Sequence, residues 1–186
     1  MSNIIGACWG VFFVVWIVAA LFTKRTAYHE NASRRFRYII PIVTAWYFLF
    51  RASRLAYPFN LPIIPDNDAV RALAAILCVS GLGFCLWARA VLGRNWSGTV
   101  TVKENHELIV RGPYRIVRHP IYTGVLGMLM ATAIEQRHVA GLIAVILVFI
   151  GLWIKSADEE QVMTKQFPDE YPAYRKQVKR IIPFVL

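Results

Sequence analysis

Five apolar stretches constrain what this chain can become. A bilayer-crossing helix needs about 20 mostly apolar residues, and backbone without water around it must satisfy its own hydrogen bonds, which makes helices of such stretches. Ile4 to Phe22 contains no charge. Tyr38 to Tyr57 carries Arg51 and Arg54 near its far end, and Ala69 to Leu92 is interrupted only by Arg71 and Arg89 close to its ends. Ile121 to Ile134 and Val139 to Ile154 are shorter and flank Glu135-Gln136-Arg137-His138, the pattern of a tight helical hairpin. With 57% hydrophobic and 17% charged residues and a mean hydropathy of +0.46, the chain is poorer in charge than a soluble domain, where about a quarter of residues are charged. The expected fold is an all-α integral membrane protein of about five transmembrane helices. The last two form a hairpin, and an amphipathic helix follows toward the C-terminus.

The first stretch has no basic segment before it and no small-residue cleavage site leading into a soluble body, so it reads as a retained helix. Orientation follows from Lys and Arg near the helix ends, which favour the cytoplasm. Lys24, Arg25, Arg34, Arg35 and Arg37 crowd the first connection; Pro58 to Asp68 has neither Lys nor Arg. The third connection holds Arg94, Lys103, Arg111, Arg115 and Arg118, the hairpin tip one Arg, and the tail Lys155, Lys165, Arg175, Lys176, Lys179 and Arg180. The expected topology puts the N-terminus outside and the third connection and tail in the cytoplasm, in an inner or plasma membrane. The net charge of +10 is then a positive-inside surface facing anionic lipid, and no nucleic-acid motif accompanies it. Cys8, Cys78 and Cys85 lie inside predicted spans without metal-type spacing, as small apolar packing residues do; no metal is expected. Arg51 and Arg54 are expected to snorkel to the interface.

Function is sought on the basic side. In Arg111-Gly-Pro-Tyr-Arg-Ile-Val-Arg-His-Pro-Ile-Tyr-Thr-Gly124, Pro120 suits the first turn of a helix. Backbone N–H groups, the helix dipole and the Arg118 guanidinium then converge beside His119, a setting for a carboxylate or phosphate. Gly124 leaves room for a ligand or a neighbouring backbone, and Tyr122 offers a ring and a hydroxyl. Arg115, Arg118 and Tyr122 also suit a helix end anchored at the interface. Asp158, Glu159 and Glu160 follow the fifth stretch. A hairpin brings them back to the same side, its arms of roughly 20 to 25 Å falling short of the hydrocarbon core of about 30 Å, so a polar pocket sinks into the membrane edge. Cations from one helix start facing carboxylates from the other arm match a zwitterion, such as an amino acid or a cofactor carrying one; the acidic residues also suit a solvated first helical turn.

Leu92-Gly-Arg-Asn-Trp-Ser97, Gly112-Pro-Tyr-Arg115, Arg118-His-Pro-Ile-Tyr-Thr-Gly124, Glu159-Glu160, and Phe167 with Tyr171 and Tyr174 resemble the isoprenylcysteine carboxyl methyltransferase family, particularly its prokaryotic members, over roughly residues 70 to 183. Membrane phospholipid methyltransferases and sterol reductases share parts of the pattern. The resemblance implies one methyltransferase domain, with two N-terminal spans in residues 1–57 and a catalytic core in 69–186. It implies S-adenosylmethionine as cofactor and a lipophilic substrate arriving from the bilayer. It also implies His119, Tyr122, Gly124, Glu159, Glu160 and Tyr114 as cofactor contacts and Arg118 as the residue that positions the acceptor. Gly81-Leu-Gly83 lies within a span without a preceding strand and reads as helix packing rather than a dinucleotide fingerprint.

A carboxylate acceptor is ionised near neutral pH, so methyl transfer to it needs alignment and desolvation. An amine acceptor needs a base, which would draw Glu159 or Glu160 into catalysis. Carboxyl O-methylation of a prenylcysteine-like or other lipid-bearing acid is the leading expectation; phospholipid or amine N-methylation and an NADPH-dependent membrane reductase are the alternatives. Thr99 to Val102 and Leu108 to Val110 read as two extended pieces around a turn, a lid over the pocket, with His106 facing solvent. Val162, Phe167, Tyr171, Tyr174 and Val178 recur at helical spacing along a tail that lies on the membrane face, broken or kinked at Pro168.

Overall fold

The computed structural model describes residues 3–22, 26–29, 32–96, 101–103 and 108–185. Six helices dominate: α1 (Asn3–Ala20), α2 (Ala32–Arg51), α3 (Asp68–Leu92), α4 (Pro120–Gln136), α5 (Val139–Gln166) and α6 (Glu170–Gln177). Three of them, α1, α3 and α5, are long and apolar enough to cross a membrane. Their outward faces are greasy: Val14 and Ile17 on α1, Ile40 and Val43 on α2, Leu73 and Ile76 on α3 and Ile146 on α5 are all exposed. In a helix that meets lipid, such residues need no protein partner. The fold is thus a helical membrane protein.

Two short strands, β1 (Thr26–His29) and β2 (Thr101–Lys103), pair antiparallel. The extended piece expected around Thr99 to Val102 therefore pairs with the first connection, and residues 108–110 form no strand. Thr99, the turn at 104–107 and His106 lie outside the described residues.

Small residues let the helices approach closely. Gly81 on α3 and Gly124 on α4 face one another so tightly that a Cβ on Gly124 would lie 2.4 Å from Cys85 Sγ and 2.6 Å from the Gly81 carbonyl oxygen. A Cβ on Gly151 of α5 would meet the Tyr38 carbonyl oxygen of α2 at 2.9 Å. Cys8, Cys78 and Cys85 are buried and unbridged in the apolar core shared by α1, α3 and α4, the packing role expected of them. A second core joins α2, α4 and α5 through Leu49, Leu129, Val145 and Leu152. Beside it lies an apolar cavity of about 150 Å³, lined by Trp9, Trp46, Leu129 and Val148 among others.

The two ends of the helix assembly differ in chemistry. At one end, Arg137 in the left-handed region (φ 66°) closes α4, and with His138 it leads into α5. The connection between α2 and α3 docks onto this turn: Ile63 donates to the Arg137 carbonyl (2.8 Å) and Val139 to the Leu61 carbonyl (3.0 Å). Asp66 pairs there with both Arg71 (2.7 Å) and Arg137 (2.8 Å). Arg51 and Arg54 are exposed. At the opposite end, the β1–β2 ribbon, the starts of α2 and α4, the end of α5 and the tail gather the basic residues.

One expectation about length changes. The fifth apolar stretch does not end its helix at Ile154: α5 runs 28 residues, about 42 Å at 1.5 Å per residue, while α4, with 17 residues, is about 25 Å. The tail from Asp158 to Val178 is divided around Pro168, where a break or kink is expected: its first part continues α5, and α6 covers only eight residues.

Candidate active site

The start of α4 and the far end of α5 meet, and the tail closes over them. Pro120 is the first residue of α4 and His119 its N-cap, as expected of a proline whose missing N–H costs nothing there. The amides of Arg118 and His119 donate to the carbonyls of Lys179 (2.8 Å) and Arg180 (2.9 Å), and those of Tyr122 and Thr123 donate to the His119 carbonyl. These helix-start donors thus serve the chain itself rather than an incoming anion. Residues 178–181 lie as a strap beside 117–119, fixed further by the hydroxyl of Thr123 donating to the Ile181 carbonyl (2.5 Å).

Glu160 is the hub. Its carboxylate, 2% exposed, accepts from Arg118 Nε at 2.8 Å and from the Arg180 guanidinium at 3.0 Å; Arg175 lies at 3.4 Å. Arg118, 8% exposed, also donates to the carbonyls of Val178 and Arg175, so its fork holds the strap as well as the glutamate. Arg180 lies over the Trp153 ring, 4.4 Å from its centroid, a cation–π contact that orients it.

His119 bridges the two glutamates, with Nδ1 3.3 Å from Glu159 and Nε2 3.3 Å from Glu160. Only the doubly protonated ring donates at both nitrogens. Burial by itself lowers the imidazole pKa, but the hydrogen bonds to Glu159 and Glu160, and then their charges, outweigh it and raise it above 6.5. The ring stacks on Tyr122, centroids 5.3 Å apart and planes within 5°, and the Tyr122 hydroxyl donates to Glu159 at 2.6 Å. Lys155, one helical turn before Glu159, places its ammonium 3.9 Å from that carboxylate and over the rings of Tyr122 (5.5 Å) and Tyr38 (5.7 Å).

Of the residues expected from sequence, Arg118, His119, Tyr122, Glu159 and Glu160 are brought into one cluster. The cations and carboxylates expected to face each other across a pocket instead touch directly. Asp158 turns away and takes the Arg37 guanidinium of α2 at 2.8 Å through both oxygens. Gly124 faces α3, so the close approach it permits is to Cys85 and Gly81 rather than to a ligand. Tyr114 is buried in a 3-10 turn behind the cluster; its hydroxyl reaches the Ala88 carbonyl (3.5 Å) and its own carbonyl accepts from Tyr174 (2.5 Å). Arg111 and Arg115 are exposed and stand outside the cluster. Sequence reasoning missed Lys155, Arg175, Arg180 and Tyr38 as members. Lys155 was legible as the residue four before Glu159 on a shared helix; the others depend on how the strap and α2 pack, which has no periodic signature.

The buried Glu160 and the half-buried Glu159 carboxylates suit an ammonium, rings beside a carboxylate suit a sulfonium, and guanidiniums suit a carboxylate. The residues present fit the charged groups of S-adenosylmethionine. Residues 69–170 match the family described as "Phospholipid methyltransferase". The chain belongs to the phospholipid methyltransferase family. The match takes in the start of α4, Lys155 and Glu159-Glu160, and leaves Tyr38, Arg175 and Arg180 outside it. A "Probable protein-S-isoprenylcysteine O-methyltransferase" of Oryza sativa subsp. indica is 29% identical over 127 residues, covering 67% of this chain and 66% of the relative. The "Protein-S-isoprenylcysteine O-methyltransferase" of Schizosaccharomyces pombe is 30% identical over 129 residues, 62% of this chain and 53% of its own. The "Uncharacterized protein YpbQ" of Bacillus subtilis is 29% identical over 100 residues. The chain thus spans just under two thirds of the rice relative and about half of the yeast one. The resemblance carried by Arg118-His-Pro-Ile-Tyr-Thr-Gly124 and Glu159-Glu160 agrees with both the family and these relatives.

Proposed function

We propose that this protein is an S-adenosylmethionine-dependent membrane methyltransferase that esterifies the carboxylate of a prenylcysteine-like or other lipid-bearing acid. The observation that carries this is the contact between Arg118-His119 at the start of α4 and the Glu159-Glu160 pair toward the end of α5, within a chain that belongs to a methyltransferase family. The proposed arrangement has five spans, α4 and α5 forming a hairpin, the N-terminus outside, and the cluster and tail at the cytoplasmic face. The apolar part of α5, residues 139–154, crosses the membrane, and the charged part stands beyond it. This agrees with the docking of the lysine- and arginine-free connection onto the α4–α5 turn at the opposite end.

Glu159, Glu160, Tyr122, His119, Arg175 of α6 and Arg180 of the strap would hold the donor. A zwitterion entering the cluster exchanges ion pairs without leaving a charge unmatched: its carboxylate takes arginine donors, and its ammonium takes a glutamate. When bound, S-adenosylmethionine supplies a methyl on cationic sulfur, which a carboxylate oxygen takes through its own lone pair while the sulfur keeps the electrons of the broken bond. An acceptor carboxylate arrives ionised, so the protein has to align and desolvate it. N-methylation asks for a base, and Glu160 serves poorly, because a carboxylate held by guanidiniums has little tendency to take a proton. The apolar cavity supports a lipophilic acceptor: Leu152 lines it, seven residues and about 10 Å along α5 from Glu159.

The test combines binding and transfer in detergent. Calorimetry is expected to show saturable binding of S-adenosylhomocysteine and none of NADPH, and radiolabelled methyl is expected to appear on a prenylcysteine acid as a base-labile ester. Binding of NADPH alone would establish the reductase, and base-stable label on phosphatidylethanolamine would establish N-methylation.

A further inference from the structure

The strap that closes the cluster also has an outer side. Lys179 pairs with Val117 in parallel and accepts the Arg118 amide, Arg180 accepts the His119 amide, and the Ile181 carbonyl accepts from Thr123 in the first turn of α4. The strap therefore runs past the start of α4 toward the part of that helix that enters the membrane. Its side chains divide. The Arg180 guanidinium reaches Glu160 at 3.0 Å and Ile181 is fully buried, whereas Lys179 is exposed.

The turn that follows is closed by the Val185 amide donating to the Ile182 carbonyl (3.2 Å), and it carries Phe184 in the left-handed region (φ 65°), 88% exposed. A bulky aromatic residue rarely takes that backbone conformation, and a phenylalanine held out in this way belongs in an apolar phase rather than in water. Ile182 is exposed as well, and so is Ile116, next to the paired Val117. Arg111 and Arg115 flank the 3-10 turn that the Tyr174 hydroxyl ties to the tail, and both are exposed. The acidic residues of the tail, Asp169 and Glu170, stand at the opposite end of α6 from Arg175 and Lys176. Charge alone would suit any polyanion; apolar side chains beside it, at the level where a span begins, select a lipid surface of negative charge.

We propose that Arg111, Arg115 and Lys179, with Ile182 and Phe184, dock an anionic phospholipid of the cytoplasmic leaflet, and that the docked lipid holds the strap closed on Glu160. This goes beyond methyl transfer; it rests on the proposed placement of this end at the cytoplasmic face and not on the reaction.

The experiment follows hydrogen exchange of the Arg118 and His119 amides, which bond to strap carbonyls and so exchange when the strap lifts. The full chain is placed in nanodiscs of phosphatidylcholine or of an equal mixture with phosphatidylglycerol, without donor or acceptor. Phosphatidylglycerol is expected to slow exchange by about 5-fold for each basic residue that meets the surface, and added salt to reduce the difference. Arg115→Gln with Lys179→Gln is expected to remove most of the difference while leaving exchange in phosphatidylcholine within about twofold. Arg34→Gln with Lys165→Gln takes the same charge from exposed positions outside the patch and is expected to keep the difference. Phe184→Ser is expected to speed exchange in both lipids. Equal exchange of the wild type in the two nanodiscs would overturn the proposal. So would equal losses in the two double variants, which would mean a diffuse surface field rather than a docking site. Protection by soluble glycerophosphoglycerol as strong as that by the lipid would overturn it too, since that head group lacks the chains that Ile182 and Phe184 would meet. Because exchange is read without methyl transfer, a protein whose strap responds to phosphatidylglycerol but which transfers no methyl would refute the proposed function and leave this docking standing.

Discussion

His119 shows how much of the site depends on one protonation state. With a carboxylate 3.3 Å from each ring nitrogen, the imidazolium holds Glu159 and Glu160 in place, and its pKa lies above the ordinary 6.5. A group whose folded-state pKa is raised contributes stability that is fully present below its unfolded value and is lost as pH rises through the folded value. Thermal unfolding in detergent is therefore expected to show a midpoint that falls as pH is raised above 6.5, and His119→Gln is expected to flatten that part of the profile. An unchanged slope in the variant would place the pH dependence elsewhere. At this scale the sequence was informative where chemistry and helix position coincide. Arg118, His119 and Pro120 at a helix start, and the adjacent glutamates beyond the fifth apolar stretch, were readable as partners. Their direct contact was not, because whether two charged sets leave a gap or close on each other depends on the strap at 178–181, which has neither periodicity nor a capping signature to betray its path.

The helices were legible as apolar runs, and their ends less so. Lys155 and Asp158-Glu159-Glu160 look like the end of a span, yet α5 continues through them because each charge finds a partner: Lys155 with Glu159 one turn along the same helix, Asp158 with Arg37, Glu160 with the arginines. Pro168 did mark the next break. Gly124 is read better at this scale than as a ligand contact. A Cβ there would meet Cys85 Sγ at 2.4 Å and the backbone oxygen of Gly81 at 2.6 Å, and backbone cannot swing aside as a side-chain tip does. Gly124→Ala is accordingly expected to push α4 from α3 and to destabilise the protein by about 1 to 3 kcal/mol, measured as a lowered unfolding midpoint. Gly83→Ala, with nothing within 4 Å of its added Cβ, is the control and should be nearly neutral. Similar losses for both would mean that the α3–α4 contact is not what requires glycine at 124.

Across the whole molecule, the basic residues of connections far apart in sequence converge on one end, and the acidic Asp66 with its arginines holds the other. That polarity was visible from residue counts in the connections. The involvement of α2 was not, since an apolar helix looks alike whether it merely fills the membrane or supports a site. Arg37 makes the difference: its guanidinium, 55% exposed, reaches both oxygens of Asp158, which is 6% exposed. Asp158 directly precedes the two glutamates, so this pair fixes the end of α5 against α2 on one face while Arg118 and the strap fix it on another. Arg37→Asp would leave a buried carboxylate beside a second one, an arrangement expected to cost about 2 to 4 kcal/mol. It should also weaken S-adenosylhomocysteine binding by disturbing Glu159 and Glu160. The double variant Arg37→Asp with Asp158→Arg restores opposite charges across the same contact, and it is expected to recover most of the unfolding midpoint and part of the binding. A double variant no better than Arg37→Asp alone would show that α2 supports the site through packing, at Gly151 and Tyr38, and not through this ion pair.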